Sequence, residues 1–400
     1  MRRSATRKTT RLVVGLLLGL AVAASAGPLH EYFAEEGDLY VLSAVAVLLA
    51  SSSLLADALG VAAAVIELAL GALAGYLGLS PVPSLELLGL VGSVFIMYVA
   101  GLEIDPSLLR RFLVPSLIGG LISFLAPAGA AYAAMHALGY TRQEALMASI
   151  GTATTSVAVV YAIIRRTGLS RRPLGQIVIA VAMVADVASI LAFVAVAAGA
   201  SVLIGLYFAG MILAVYLLAR ALEWASGGEN EVELRLILAF LIVAALISES
   251  VGVHAILFAF LLGVATRGSV LQDRALEEKI SGLTFGLLAP LFFVDAGLHA
   301  APKHPLLYAE ISLLLLATTM PVKIAATHTA LTTMLRRHVP LRLSTVFGAR
   351  LTVSTIIAFT GEATGILSHD LAGSIIMSAL LATIIAGAIS GAPLEEGVEL

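Results

Sequence analysis

Between residues 39 and 391 the chain is a succession of thirteen apolar stretches, most of them separated by only a few polar residues. In a lipid core no water satisfies a backbone N–H or C=O, so a chain crosses either as helices or as a closed barrel. Barrel strands alternate apolar and polar residues over about ten positions. These stretches are instead apolar all round and near the roughly 20 residues that a membrane helix needs. The expectation is an all-α polytopic membrane protein. Composition agrees: 12% of residues are charged and mean hydropathy is +1.03, against about 25% charged in a soluble domain. There is no cysteine, which excludes disulfides, thiolate metal centres and cysteine nucleophiles.

Residues 1–27 read as a signal peptide or an extra N-terminal helix. Arg2, Arg3, Arg7, Lys8 and Arg11 precede a short apolar core, Leu12 to Ala24, and Ala24-Ser25-Ala26 resembles a cleavage site. Either reading puts the acidic segment 30–38 outside. The loops then divide unequally: fourteen Lys and Arg residues fall in inner loops and two, Arg142 and Lys303, in outer ones. That is the positive-inside asymmetry, and it places the C-terminus in the cytoplasm. The longest polar break runs from Glu223 to Arg235. It separates a first six-span repeat, 39–199, and a linker span, 201–222, from a second six-span repeat, 235–391. An odd connector between equal halves gives them opposite topology, the inverted-repeat plan of secondary transporters.

Both halves are interrupted at corresponding places. The fifth span of the first half carries Gly151-Thr152-Ala153-Thr154-Thr155-Ser156, and that of the second carries Gly348 to Thr355. Paired polar or glycine interruptions point to a midplane site built from broken helices. Three ionisable residues lie within apolar spans: Asp186, Lys323 and Arg350. A charge there costs several kcal/mol unless it is neutralised, hydrated or bound, so each is a functional candidate. Burial favours the neutral form of a carboxylate and a nearby cation favours the charged form. Proton and cation therefore compete for Asp186, and that competition suffices for coupled exchange. Thr152, Thr154, Thr155 and Ser156, with freed backbone carbonyls, offer the oxygen ligands that hard cations prefer. The plainer alternative is a protonated Asp186 bonding helix to helix among ordinary Ser and Thr packing contacts.

Several stretches together resemble the monovalent cation:proton antiporter-2 family. Glu86 to Pro106 is similar to its third span and following Gly-Leu-Glu loop. Thr152 to Val159 resembles its unwound crossing helix, and Ile179 to Leu191, with Asp186, its ion-site helix. Pro290 to Leu298 resembles its Phe-Phe-x-x-x-Gly span. Lys323 and Gly348-Ala349-Arg350 fall where that family has a basic residue and a second crossing helix. The resemblance implies about 13 transmembrane helices in two inverted repeats, two crossed broken helices, a dimerisation bundle and a mobile core bundle working as an elevator, and a homodimer in membrane lipid. Electrogenic members have two adjacent Asp residues on the ion-site helix, whereas this chain has Ala185-Asp186. The site thus reads as a single-carboxylate one, and Lys323 lacks the partner the family gives it.

Arg350 neutralises an acidic group or caps broken-helix carbonyls. Asp295 either supplies the carboxylate missing at Ala185 or sits at the boundary. Glu67 reads as a helix-to-helix hydrogen bond more than an ion contact. His254, His299 and His328 lack metal spacing, and no cofactor, enzyme activity or nucleic-acid partner is expected. The function expected is exchange of Na⁺ (or Li⁺) for H⁺ across the cell membrane. K⁺/H⁺ exchange and a gated potassium-channel-like protein are the alternatives.

Overall fold

A computed structural model describes residues 9–17, 37–59, 62–103, 106–166, 169, 172–197, 231–251, 255–336 and 339–390, with isolated positions between 210 and 224. The described residues are helical almost throughout. The helices are α1 (9–17), α2 (Gly37–Leu59), α3 (Ala63–Tyr76), α4 (Pro83–Glu103), α5 (Pro106–Arg111), α6 (Leu113–Ala137), α7 (Arg142–Ala153), α8 (Val157–Arg166) and α9 (Pro173–Ala197). There follow α10 (Val232–Val251), α11 (Ala255–Gln272), α12 (Arg274–Leu283), α13 (Ala289–His299), α14 (Pro305–Leu335), α15 (Leu341–Ser344), α16 (Thr352–Ala363) and α17 (His369–Ser390).

Among the described residues eight spans are long and apolar enough to cross a membrane, and two shorter apolar helices accompany them. The stretch expected at 141–165 is divided into α7 and α8, and the one at 235–250 corresponds to α10. The linker span 201–222 lies largely outside the described residues, as do most of the acidic segment 30–38, His254 and the C-terminal decapeptide.

One span begins earlier than its apolar stretch. The sequence suggests 281–299, yet the helix starts at Arg274. Asp273 caps it by accepting from the Ala275 and Leu276 N–H groups at 2.9 and 3.2 Å, which meets part of the orphan N-terminal donors. Arg274 and Lys279 are therefore helical residues rather than loop residues. Lys279 pairs with Glu231 at 2.6 Å. Between α12 and α13 lies one π turn, Thr284–Leu288. Pro290 follows it and has no N–H to give the i−4 carbonyl, which favours the wider turn there.

The helices form two compact units, each drawn from both halves of the chain. The first holds α1 to α4 and α10 to α13; the second holds α5 to α9 and α14 to α17. Each sequence half thus gives three spans to one unit and three to the other, an interleaving that lies within the two expected repeats.

In the first unit, Val41, Val45 and Leu48 of α2 pack with Ala74, Leu85, Val294 and Leu298. α3 and α13 meet at glycines: a Cβ on Gly71 would strike the Val294 carbonyl, and one on Gly297 the Leu68 carbonyl. Membrane helices lack a hydrophobic drive toward each other, so small residues that admit close backbone contact supply the attraction. In the second unit, α6 packs on α7, α9 and α14, while α16 packs on α7 and α17.

Candidate functional site

The site is built on the break between α7 and α8. α7 begins with a capping box: Thr141 accepts from the Glu144 N–H, and Glu144 accepts from the Thr141 N–H at 2.9 Å. The helix then runs into four Ser and Thr residues within Thr152 to Ser156, whose side chains compete for backbone hydrogen bonds. Thr154 is extended, at φ −60° and ψ 166°, and α7 stops. The last four carbonyls of a helix have no intrahelical partner. Here they end in the interior, where water does not meet them.

Side chains from other elements take them up in order. The Ser354 hydroxyl donates to the Gly151 carbonyl at 2.6 Å. The Arg350 guanidinium donates to the Thr152 carbonyl. The Lys323 ammonium donates to the Ala153 and Thr154 carbonyls at 2.5 and 2.8 Å. Ser354 lies in α16, Arg350 just before it, and Lys323 in α14, two residues after Pro321.

The second broken helix answers the first. α15 continues as a 3₁₀ turn, Thr345–Gly348, and the chain opens at Ala349, φ −67° and ψ 115°. The Ala349 carbonyl accepts from the Ser156 N–H at 2.8 Å, so the C-terminal side of one break satisfies the N-terminal side of the other. The Thr154 and Ser354 hydroxyls lie 2.6 Å apart.

This arrangement explains two buried cations. Lys323 and Arg350 are 0% and 1% exposed. A helix C-terminus carries roughly half a negative charge, and both cations give hydrogen bonds to that end of α7. Arg350 also donates to Ser378 at 3.2 Å, and its own N–H donates to the Thr383 hydroxyl at 3.0 Å. Lys323 gives two of its three donors to backbone carbonyls, and no ion pair within 4.0 Å joins it to Asp186.

Asp186 sits in α9, which packs on α7, α8 and α16. It is 2% exposed, and its Oδ1 has no hydrogen-bond partner. Thr155 Oγ1 is likewise buried and unpartnered. The Thr152 hydroxyl instead turns back to the Ala148 carbonyl at 2.7 Å, an ordinary intrahelical bond. Ser156 takes part through its N–H. The carbonyls expected to be free for an ion are engaged by Ser354, Arg350 and Lys323, while Asp186 Oδ1 and Thr155 Oγ1 are among the buried oxygens without a partner.

Asp295 and Glu67 lie in the first unit. Asp295 is 1% exposed with neither carboxylate oxygen hydrogen-bonded. His299 Nδ1 lies 3.5 Å from Asp295 Oδ1, and His299 Nε2 lies 3.4 Å from Glu86. Glu67, on α3, is buried and meets Ser52 of α2. His328 contacts Ser344 at 3.3 Å. At one end of the second unit Glu362 pairs with His369 at 2.8 Å and Asp370 with His304 at 2.7 Å.

Sequence reasoning included Ser354 only as part of the Gly348 to Thr355 interruption, and missed Ser378 and Thr383. A partial signal existed for Ser378: α17 carries Ser374 and Ser378 one helical turn apart, and both are buried.

Comparison with known proteins places this geometry. The family model described as sodium/hydrogen exchanger, transmembrane, matches residues 41–396. "Probable Na(+)/H(+) antiporter 3" of Methanocaldococcus jannaschii is 25% identical over 321 residues, 75% of this chain and 82% of that protein. "Na(+)/H(+) antiporter NhaS5" of Synechocystis sp. is 29% identical over 54% of this chain, which spans 32% of that longer protein. The solved sodium proton antiporter MjNhaP1 of M. jannaschii, at pH 8, superposes with a TM-score of 0.65 and 17% identity, covering 89% of this chain and 98% of that one. A family match over nearly the whole membrane region, on a fold of broken helices, means that this chain belongs to the sodium/hydrogen exchanger transmembrane family.

Proposed function

We propose that the chain is a secondary antiporter that exchanges a monovalent cation, Na⁺ in the first instance, for H⁺, with Asp186 as the group that both ions use. The observation that carries this reading is the Asp186 carboxylate: 2% exposed, with Oδ1 unpartnered, in a bundle whose cations are committed to carbonyl oxygens. An unpaired buried carboxylate is stabilised either by a proton or by a cation. One carboxylate holds one of these at a time, so loading one ion requires release of the other. Thr155 and Thr154 supply further oxygen. The relatives' names as Na⁺/H⁺ antiporters support the same pair of ions.

The second unit is the moving body in this proposal. Asp186, Lys323, Arg350 and Ser354 all belong to it, so the bonds of the α7 break persist while the unit shifts as an elevator. The first unit is the static bundle through which two copies associate in the membrane.

The test is transport in sealed proteoliposomes with an internal pH dye, adding Na⁺, Li⁺ or K⁺ outside. The wild-type chain is expected to move protons against Na⁺, and Asp186→Asn to abolish it. Undiminished exchange by Asp186→Asn would reject the carrier role. Proton movement with K⁺ alone would favour K⁺/H⁺ exchange, and K⁺ flux without protons a channel.

A further inference from the structure

We propose that Ser354 is a positioning residue that fixes the direction of the Thr154 hydroxyl, turning its hydrogen away from the ion and leaving its lone pairs to receive a cation. The proposal rests on the reading of Asp186 as the ion carrier and deepens it by assigning a ligand and the residue that orients it.

A count of hydrogens fixes the direction of each bond. A serine hydroxyl has one hydrogen and two lone pairs. Ser354 Oγ lies 2.6 Å from the Gly151 carbonyl oxygen and 2.6 Å from Thr154 Oγ1. A carbonyl oxygen only accepts, so a bond at the first distance requires the Ser354 hydrogen. Were that hydrogen given to Thr154 instead, two oxygens would face each other at 2.6 Å with nothing between them. The Gly151 carbonyl, in the last turn of α7, would also lose its side-chain donor. Ser354 is 0% exposed, so the loss would carry the full cost of an unmade buried bond. With the Ser354 hydrogen committed, the short contact to Thr154 closes only if Thr154 donates. The Thr154 hydrogen then points at Ser354 and both of its lone pairs stay open.

Polarity matters for a monovalent cation. A hydroxyl aimed hydrogen-first repels it, and one aimed lone-pair-first binds it, as hard cations require of oxygen ligands. A hydroxyl free to rotate must give up that freedom on binding. Ser354 removes the choice beforehand. Thr155, whose Oγ1 has no partner, has no such constraint. Thr154 and Ser354 come from the two different breaks, so the orientation holds only while the breaks are crossed as seen here.

The test uses the full chain in proteoliposomes and titrates Na⁺ at fixed pH. Ser354→Ala frees the Thr154 hydrogen, and the apparent KM for Na⁺ is expected to rise roughly tenfold, the scale of one lost favourable contact, with the change falling on KM rather than on the maximal rate. Thr154→Val is expected to do the same by removing the ligand. The double variant should be no worse than Thr154→Val alone, because Ser354 acts through Thr154. Ser354→Thr restores a hydroxyl and should bring KM back toward wild type. An unchanged KM in Ser354→Ala, or additive effects in the double variant, would overturn the proposal. If Ser354→Ala is too unstable to reconstitute, the Na⁺-dependent rise in melting temperature of Ser354→Thr and Thr154→Ser decides. Both should keep it, and its loss in Ser354→Thr would overturn the assignment. Abolition by Asp186→Asn with no effect of Ser354→Ala would sink this inference and leave the carrier role standing. Undiminished exchange by Asp186→Asn would instead remove the ion site itself.

Discussion

Lys323 is a buried side chain engaged on the end of a broken helix. Its ammonium satisfies two carbonyls, those of Ala153 and Thr154. Removing a donor to a buried acceptor leaves a cost of about 1–3 kcal/mol for each group. Lys323→Met is therefore expected to lose about 2–6 kcal/mol of stability, read as a lower melting temperature in detergent. Lys323→Gln keeps a donor and should lose less. A Lys323→Met variant that melts like wild type would remove the capping role. The sequence marks Lys323, Arg350 and Asp186 plainly, because an ionisable residue in an apolar span carries a cost that demands an explanation. It does not mark Ser354 or Thr383 in the same way. Serine and threonine are common at membrane helix contacts, and only the carbonyl opposite tells a working hydroxyl from an idle one.

At the scale of elements, the contact of α3 with α13 depends on what Gly71 and Gly297 lack. A side chain on Gly297 would meet the Leu68 carbonyl and force the helices apart. Gly297→Leu is expected to cost about 3 kcal/mol or more, beyond the usual range for overpacking a core, measured by thermal unfolding. A near-neutral effect would mean that the helices do not approach this closely. Gly89 faces a similar limit in the same unit, since a Cβ there would lie 2.7 Å from Asp295 Oδ2. The broken helices themselves were legible as polar islands in both halves. The early start of the span at Arg274 was not: its first turns are polar, and the cap at Asp273 rather than apolarity sets the boundary.

At the scale of the molecule, the halves read from charge and hydropathy are interleaved in two compact units. That interleaving depends on packing between spans far apart in the chain, which local periodicity does not report. A carrier with one shared carboxylate implies a simple pH dependence. If Asp186 is the shared group, as proposed, its protonated form holds no cation, so lowering pH through its titration is expected to raise the apparent KM for Na⁺, and raising pH to lower KM until it levels off. In the acid limb the rise is about tenfold per pH unit for one competing proton. Na⁺ titrations of proteoliposomes from acid to alkaline pH check this; a KM that ignores pH would mean that ion and proton do not share a group.

The four carbonyls from Gly151 to Thr154 each have an assigned donor, in the order Ser354, Arg350, Lys323 and Lys323 again. The break is thereby indexed to a particular residue. One extra residue inside α7 turns everything beyond it by about 100° and assigns every donor to the wrong oxygen. A single alanine inserted after Ala145 should therefore abolish exchange. The same insertion in the loop between α6 and α7, at Gly139, should be absorbed, because it leaves the numbering of α7 against its donors intact. Length, in this helix, carries information of the same kind as a side chain.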